Sequence, residues 1–161
     1  MVKKITIDLT DRSIDSAIKE VRKYKTWVEA KEKELRVRLA SIGATVASIR
    51  FSGAIYNGTN DVTIRVEDDG TTATIYAEGE SVAFIEFGSG EKYGYGHPQA
   101  GEFGVGPGTY PEGKGNWNNL KGWYYAKGQH SYGNPPAQAM YAAVQAITEQ
   151  VTMIAKEVFS Q

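Results

Sequence analysis

The sequence predicts one α+β domain, in which a small antiparallel sheet packs against a long N-terminal helix and a C-terminal helix. Three observations carry this. Apolar residues recur at helical spacing from about Ser13 to about Ser41, and again from Met140 to Val158. Between them lies one clear alternating hairpin, and the stretch 88–134 has no period of either kind and reads as a long loop rich in glycine and aromatic residues. All 161 residues form a single domain that includes this projecting loop.

The opening Ile5, Ile7 and Leu9 alternate with polar residues, the pattern of a strand rather than of the apolar run a signal peptide needs. Asp11 or Ser13 then caps a helix whose Ile14, Val21, Val28, Leu35 and Ile42 recur every seven residues. On its outer face Glu29 and Lys33, Glu32 and Arg36, and Glu34 and Arg38 stand four apart, acid first. A rod of that length, roughly 40 Å, must cross the whole domain or project into a neighbour. Gly43 suits the left-handed position that ends a helix, with a second helical stretch over Ala44–Phe51 and a turn at Asn57-Gly58 beyond it.

Val62, Ile64 and Val66 alternate with polar residues, Asp68-Asp69-Gly70 turns the chain, and Thr72–Ala77 returns. The apolar run Val82–Phe87 fits a helical turn or a buried strand equally. At the far end Asn134 reads as the N-cap and Pro135 as the first residue of the last helix, which carries Met140, Val144, Ile147, Val151, Ile154 and Val158 on one stripe.

Composition narrows the function. Hydrophobic residues make up 41% and charged residues 23% of the chain, as in an ordinary globular domain, and no stretch approaches a membrane span. The formal net charge of -1 gives no field to hold a phosphate backbone. With no cysteine, disulfides, thiolate metal sites and cysteine nucleophiles are excluded. These features point to a protein made and folded in the cytoplasm, without a membrane span.

No motif promises catalysis. Gly108–Gly115 nearly spells a phosphate loop, but Gly115 stands where a serine or threonine must hold magnesium. Gly94-Tyr95-Gly96 and Gly104-Val105-Gly106 lack the third glycine of a dinucleotide fingerprint. The two histidines, His97 and His130, have no second ligand at helical or hairpin spacing, so a surface or stacking role is expected and no metal site. For an enzyme, Glu86, His97 and His130 are the least poor candidates. The aromatics Tyr93, Tyr95, Phe103, Tyr110, Trp117, Trp123, Tyr124 and Tyr125 suit either a protein interface or a carbohydrate- or cell-wall-binding module, and the interface is the preferred reading.

A long charged helix, the hairpin, the stretch Ala77–Gly90 containing Phe84-Ile85-Glu86-Phe87-Gly88, an aromatic insertion, and Gly133-Asn134-Pro135-Pro136-Ala137 before a final helix follow in order. This order resembles the tail-component family of long-tailed bacteriophages, the tail-completion or head-tail joining proteins, from Val21 to the C-terminus. Phe84–Gly88 and Pro135 carry the likeness, and the length of the insertion between Gly90 and Asn134 departs from it. The resemblance implies a structural protein of the virion neck or tail. It implies a ring of copies, six in number, that joins tail to capsid and meets other tail or neck proteins. DNA would pass through the lumen without specific binding, and no cofactor is implied. The expected anchors of the ring are Trp117, Trp123 and Tyr124 in the aromatic arm.

Overall fold

The computed structural model describes residues 6, 8, 10–54, 60–89, 96–104, 123–124, 130–131 and 133–160. The architecture is α+β, as the sequence predicts. The elements run α1 (Asp11–Ser52), β1 (Thr63–Asp68), β2 (Ala73–Glu78), α2 (Val82–Phe87), β3 (Trp123–Tyr124), β4 (His130–Ser131) and α3 (Ala139–Ser160). The expected strand at Ile5, Ile7 and Leu9 and the turn at Asn57-Gly58 lie outside the described residues.

Helix α1 is one rod of 42 residues, about 63 Å long. Its cap is Thr10 rather than Asp11 or Ser13: the Thr10 hydroxyl accepts the Ser13 amide, and the Asp8 carboxylate accepts the Thr10 amide at 3.0 Å. Gly43 does not end the helix. It lies in mid-rod because a Cβ there would come within 2.6 Å of both Ile147 Cδ1 on α3 and Ile75 Cδ1 on β2. The glycine costs about 1 kcal/mol of helix propensity and lets three elements meet. The stretch 44–51 is therefore continuous with the first helix, and its Ala47 and Phe51 enter the core.

Helices α1 and α3 run antiparallel. Ala47 and Phe51 cluster with Ala139, Ala143 and Ile85 at one end, and Trp27 meets Phe159 edge-on at 5.9 Å between ring centres at the other. Arg38 and Glu157 bridge the two helices at 2.6 Å. The sevenfold stripe proposed for α1 is only half inside: Val28, Leu35 and Ile42 are partly buried, while Ile14 and Val21 are exposed. On α3, Ile154 and Val158 are buried as expected, but Val144 is exposed and Ala139, Ala142 and Ala143 replace it in the core. Small side chains at the contact let the helix axes come close.

The hairpin forms in the expected place, with Val66 opposite Ile75 and Asp68 opposite Ala73. Ile64 and Ala77 pack on the core cluster. Of the outer pairs proposed on α1, Glu32–Arg36 forms at 3.5 Å. Arg36 also clamps Asp68 at the hairpin tip, at 3.0 Å, whereas Glu29 turns to Lys25 and Glu34 to Lys31.

Four hairpin carboxylates are held below the usual carboxylate range. The Ser81 hydroxyl and the Glu80 and Ser81 amides do this for Asp61, Arg36 and the Gly70 amide for Asp68, the Thr72 and Thr71 amides for Asp69, and Arg65 for Glu78. A carboxylate with a depressed folded-state pKa stabilises the fold above its unfolded pKa of about 4, and that contribution disappears as pH falls through the folded value. The melting temperature should accordingly fall on acidification below about pH 4, with a shallower slope in Asp61→Asn. Replacing Gly43 by valine should cost about 1–3 kcal/mol in urea denaturation, since two packed isoleucines must move. A neutral result would show that the three-way contact is loose.

Candidate functional site

The chemistry-bearing groups of the described residues converge where α2, the segment 96–104 and the start of α3 meet. The apolar run 82–87, which fitted helix or strand, is a short helix. Phe84 and Ile85 point into the core, and Phe87 faces the 96–104 segment. Glu86 is a single charged residue in this apolar run, and it is 4% exposed.

Burying a carboxylate is costly unless each oxygen is satisfied. Glu86 meets this condition by taking every orphan donor at the start of α3. Its backbone carbonyl accepts the Gln138 amide at 3.2 Å. Oε2 accepts the Ala139 and Met140 amides at 2.7 and 3.0 Å, and Oε1 accepts Tyr141 at 3.1 Å. Four N–H groups of a helix start lack intrahelical partners, and one residue supplies all four acceptors. The positive end of the helix dipole adds to the attraction.

Helix α3 thus begins at Ala139 and is capped from another element. Asn134 and Pro135 are not its N-cap and first residue, contrary to the sequence expectation. Asn134 instead pairs with Ser89: the Ser89 amide donates to the Asn134 carbonyl at 2.9 Å, and the Asn134 amide returns to Ser89 O at 3.2 Å. With Ala137 N–H on the Ile85 carbonyl at 2.7 Å, residues 85–89 run antiparallel beside 134–138. Gly88, at φ +79°, is required here, since a Cβ would lie 2.9 Å from Pro136 N and 3.0 Å from Asn134 O. Pro135 and Pro136 bring no N–H to this crowded crossing.

His97 closes the cluster. It is buried, not on the surface, and its Nε2 lies 3.2 Å from Glu86 Oε1. The Gln99 amide donates to Nδ1 at 3.1 Å, which leaves the ring proton on Nε2, facing the carboxylate. Its ring packs against aromatic neighbours at tilted and edge-on angles rather than stacked, with Phe87 4.5 Å away and Tyr141 5.6 Å, centre to centre. Gln138 holds a left-handed conformation (φ 51°), unusual for a residue with a side chain. Its Nε2 donates to the Gly96 carbonyl at 2.9 Å, tying the same segment to the helix start.

The structure therefore joins two of the residues considered for chemistry, Glu86 and His97, and fixes Phe84, Ile85, Phe87, Gly88 and Pro135 around them. His130, the third, sits on β4, is exposed, and pairs through its backbone with Tyr124. Among the aromatic residues, Phe103 is 63% exposed on the rim of the cluster, its ring 5.8 Å from Phe87. The backbones of Trp123 and Tyr124 form β3, opposite Ser131 and His130. Tyr93, Tyr95, Tyr110, Trp117 and Tyr125 lie outside the described residues, as do the glycines 108, 113 and 115 of the phosphate-loop candidate. Within the insertion, His97 and Ala100 are buried against the domain, so this part of the loop belongs to the core and not to a free arm.

Among the described residues no group of three or more histidine and carboxylate side chains could hold a metal ion, and no helix is long and apolar enough to cross a membrane. Chemically, the Glu86–His97 pair has the composition of an acid–base couple, but its donors and acceptors are spent within the fold. Comparison with protein-family models, curated proteins and solved structures returned no match.

Truncating Glu86 to alanine removes the acceptor of three amides and a histidine at a buried site, and should cost about 3–5 kcal/mol or prevent folding. Glu86→Gln keeps the shape but sets an NH2 against donors, and should cost about 1–3 kcal/mol. Urea denaturation followed by circular dichroism measures both. Near-wild-type stability of Glu86→Gln would mean that the carboxylate serves something other than the fold.

Proposed function

We propose that this chain is a structural protein of a bacteriophage virion, a tail-completion or head-tail joining subunit that acts in a ring of copies, six by family resemblance, between tail and capsid. The observation that carries the reading is the use made of the Phe84–Gly88 motif. Every residue of it is committed to folding: Phe84 and Ile85 to the core, Glu86 to the start of α3, Phe87 to His97, and Gly88 to the crossing with Pro136. A motif used in this way marks a shared scaffold rather than shared chemistry.

Two further features agree with a subunit whose task is contact. One helix is far longer than its partner, 42 residues against 22, and carries the exposed apolar side chains Ile14, Ile18 and Val21 in the part that extends beyond α3. In a ring each copy presents one surface and receives another, so a projecting element is satisfied in every subunit. The chain would meet other neck or tail proteins on the two faces of the ring. DNA would cross the lumen without sequence-specific contacts, as suits a subunit with a net charge of -1. It would reside in the virion after assembly in the host cytoplasm, without catalytic activity or cofactor.

Light scattering coupled to size exclusion, with electron microscopy of the concentrated protein, tests this. Closed rings with a central opening are expected. A protein that stays monomeric at every concentration, and that binds peptidoglycan in a manner lost in Trp117→Ala and Trp123→Ala, would replace the ring by a cell-wall-binding module.

A further inference from the structure

We infer that residues 96–104 form a strap, pinned by His97, that opens as one unit while the rest of the domain stays folded, and that its opening uncovers the rings of Phe87 and Tyr141. The inference does not depend on the ring reading. Three observations carry it.

The first is that the strap is hydrogen-bonded within itself. The Gln99 amide donates to His97 Nδ1 at 3.1 Å, and Gln99 Nε2 donates to Glu102 Oε2 at the same distance. The Ala100 amide donates to the His97 carbonyl at 3.2 Å, the Glu102 and Phe103 amides to the Gln99 carbonyl at 3.1 and 3.2 Å, and the Gly104 amide to the Gly101 carbonyl at 3.2 Å. A segment that satisfies its own amides in this way can leave the domain without stranding them.

The second is how lightly it is held. Among the described residues two hydrogen bonds join it to the domain: His97 Nε2 to Glu86 Oε1 at 3.2 Å, and Gln138 Nε2 to the Gly96 carbonyl at 2.9 Å. Of its nine residues, His97 and Ala100 are buried, Gln99 is half-buried and the other six are exposed. His97 alone both packs against rings of the domain, those of Phe87 and Tyr141, and bonds to a side chain there. Phe103 touches Phe87 from the rim and stays in water.

The third is that the dependence runs one way. Without His97, Glu86 still accepts the Ala139, Met140 and Tyr141 amides, and the Gln138 amide stays on the Glu86 carbonyl. The start of α3 therefore does not need the strap, whereas the strap needs Glu86. Opening frees one contact at Oε1, where water can replace the imidazole, and it leaves the faces of Phe87 and Tyr141 that met His97 open to a partner. Contiguous segments held by few apolar contacts are the ones that open below the free energy of global unfolding.

Amide hydrogen exchange resolved by NMR tests this in the wild type, His97→Ala and His97→Gln, with thermal melting as the check on folding. In the wild type the amides of Ala100, Glu102, Phe103 and Gly104 should exchange together, roughly tenfold or more faster than those of Ala139, Met140 and Tyr141. His97→Ala should speed the four strap amides by about tenfold again and leave the three helix amides unchanged. His97→Gln, which keeps a donor for Glu86 Oε1, should recover part of the strap's protection. Strap and helix amides that exchange at one common rate, or that loosen together in His97→Ala, would overturn the inference, since the segment would then be inseparable from the core. Strap amides unaffected by His97→Ala, or no better protected in His97→Gln than in His97→Ala, would overturn His97 as the pin.

Discussion

The fold depends on one carboxylate. Glu86 occupies the point where three segments distant in sequence must end or begin, and it gives each of them a partner it otherwise lacks. The start of α3 needs acceptors, the segment at 97 needs an anchor, and α2 is too short to persist by itself. Buried carboxylates are costly, but this one is offset by four hydrogen-bonding contacts to its two oxygens and by the dipole of a 22-residue helix. The neighbouring constraints follow from it. Gln138 accepts a left-handed backbone because both its amide and its side chain are tied down, and Gly88 is glycine because the chain crosses itself there.

The arrangement also separates the molecule into two parts with different duties. The rigid part is the cluster of Ala47, Phe51, Ile85, Ala139 and Ala143, small side chains that bring two helices and a hairpin close together. The exposed part includes the face of α1 that carries Ile14, Ile18 and Val21, the outer face of the hairpin and the rim at Phe103. The depressed carboxylates of the hairpin region, Asp61, Asp68, Asp69 and Glu78, fasten its turns and its links to neighbouring residues.

Elements whose signals are local were legible in the sequence. The hairpin followed from its alternation and its Asp-Asp-Gly turn, and the two helices from their period. The readings that failed concern residues whose partners lie far along the chain. Gly43 looked like a helix end because the sequence could not reveal that Ile75 and Ile147 press on the same point. Asn134-Pro135 looked like a cap because the true one, Glu86, is more than fifty residues upstream. The seven-residue stripe of α1 left open how much of it is covered, because periodicity reports that a face is apolar and not what packs on it. A signal for the Glu86 site was nonetheless present: a lone acid inside Val-Ala-Phe-Ile-Glu-Phe must be either strained or bonded. His97 carried no comparable mark, since its neighbours Phe87 and Tyr141 are joined to it only by the fold.

The most direct measurement is amide hydrogen exchange at Ala139, Met140 and Tyr141, the helix-start positions that would exchange freely if they had only water for partners. If the Glu86 carboxylate secures α3, these three amides should be protected to the same degree as the buried middle of the helix around Ile154, opening only with global unfolding. Exchange at the rate of a frayed helix end, with the middle of α3 still protected, would contradict the central role given to this residue.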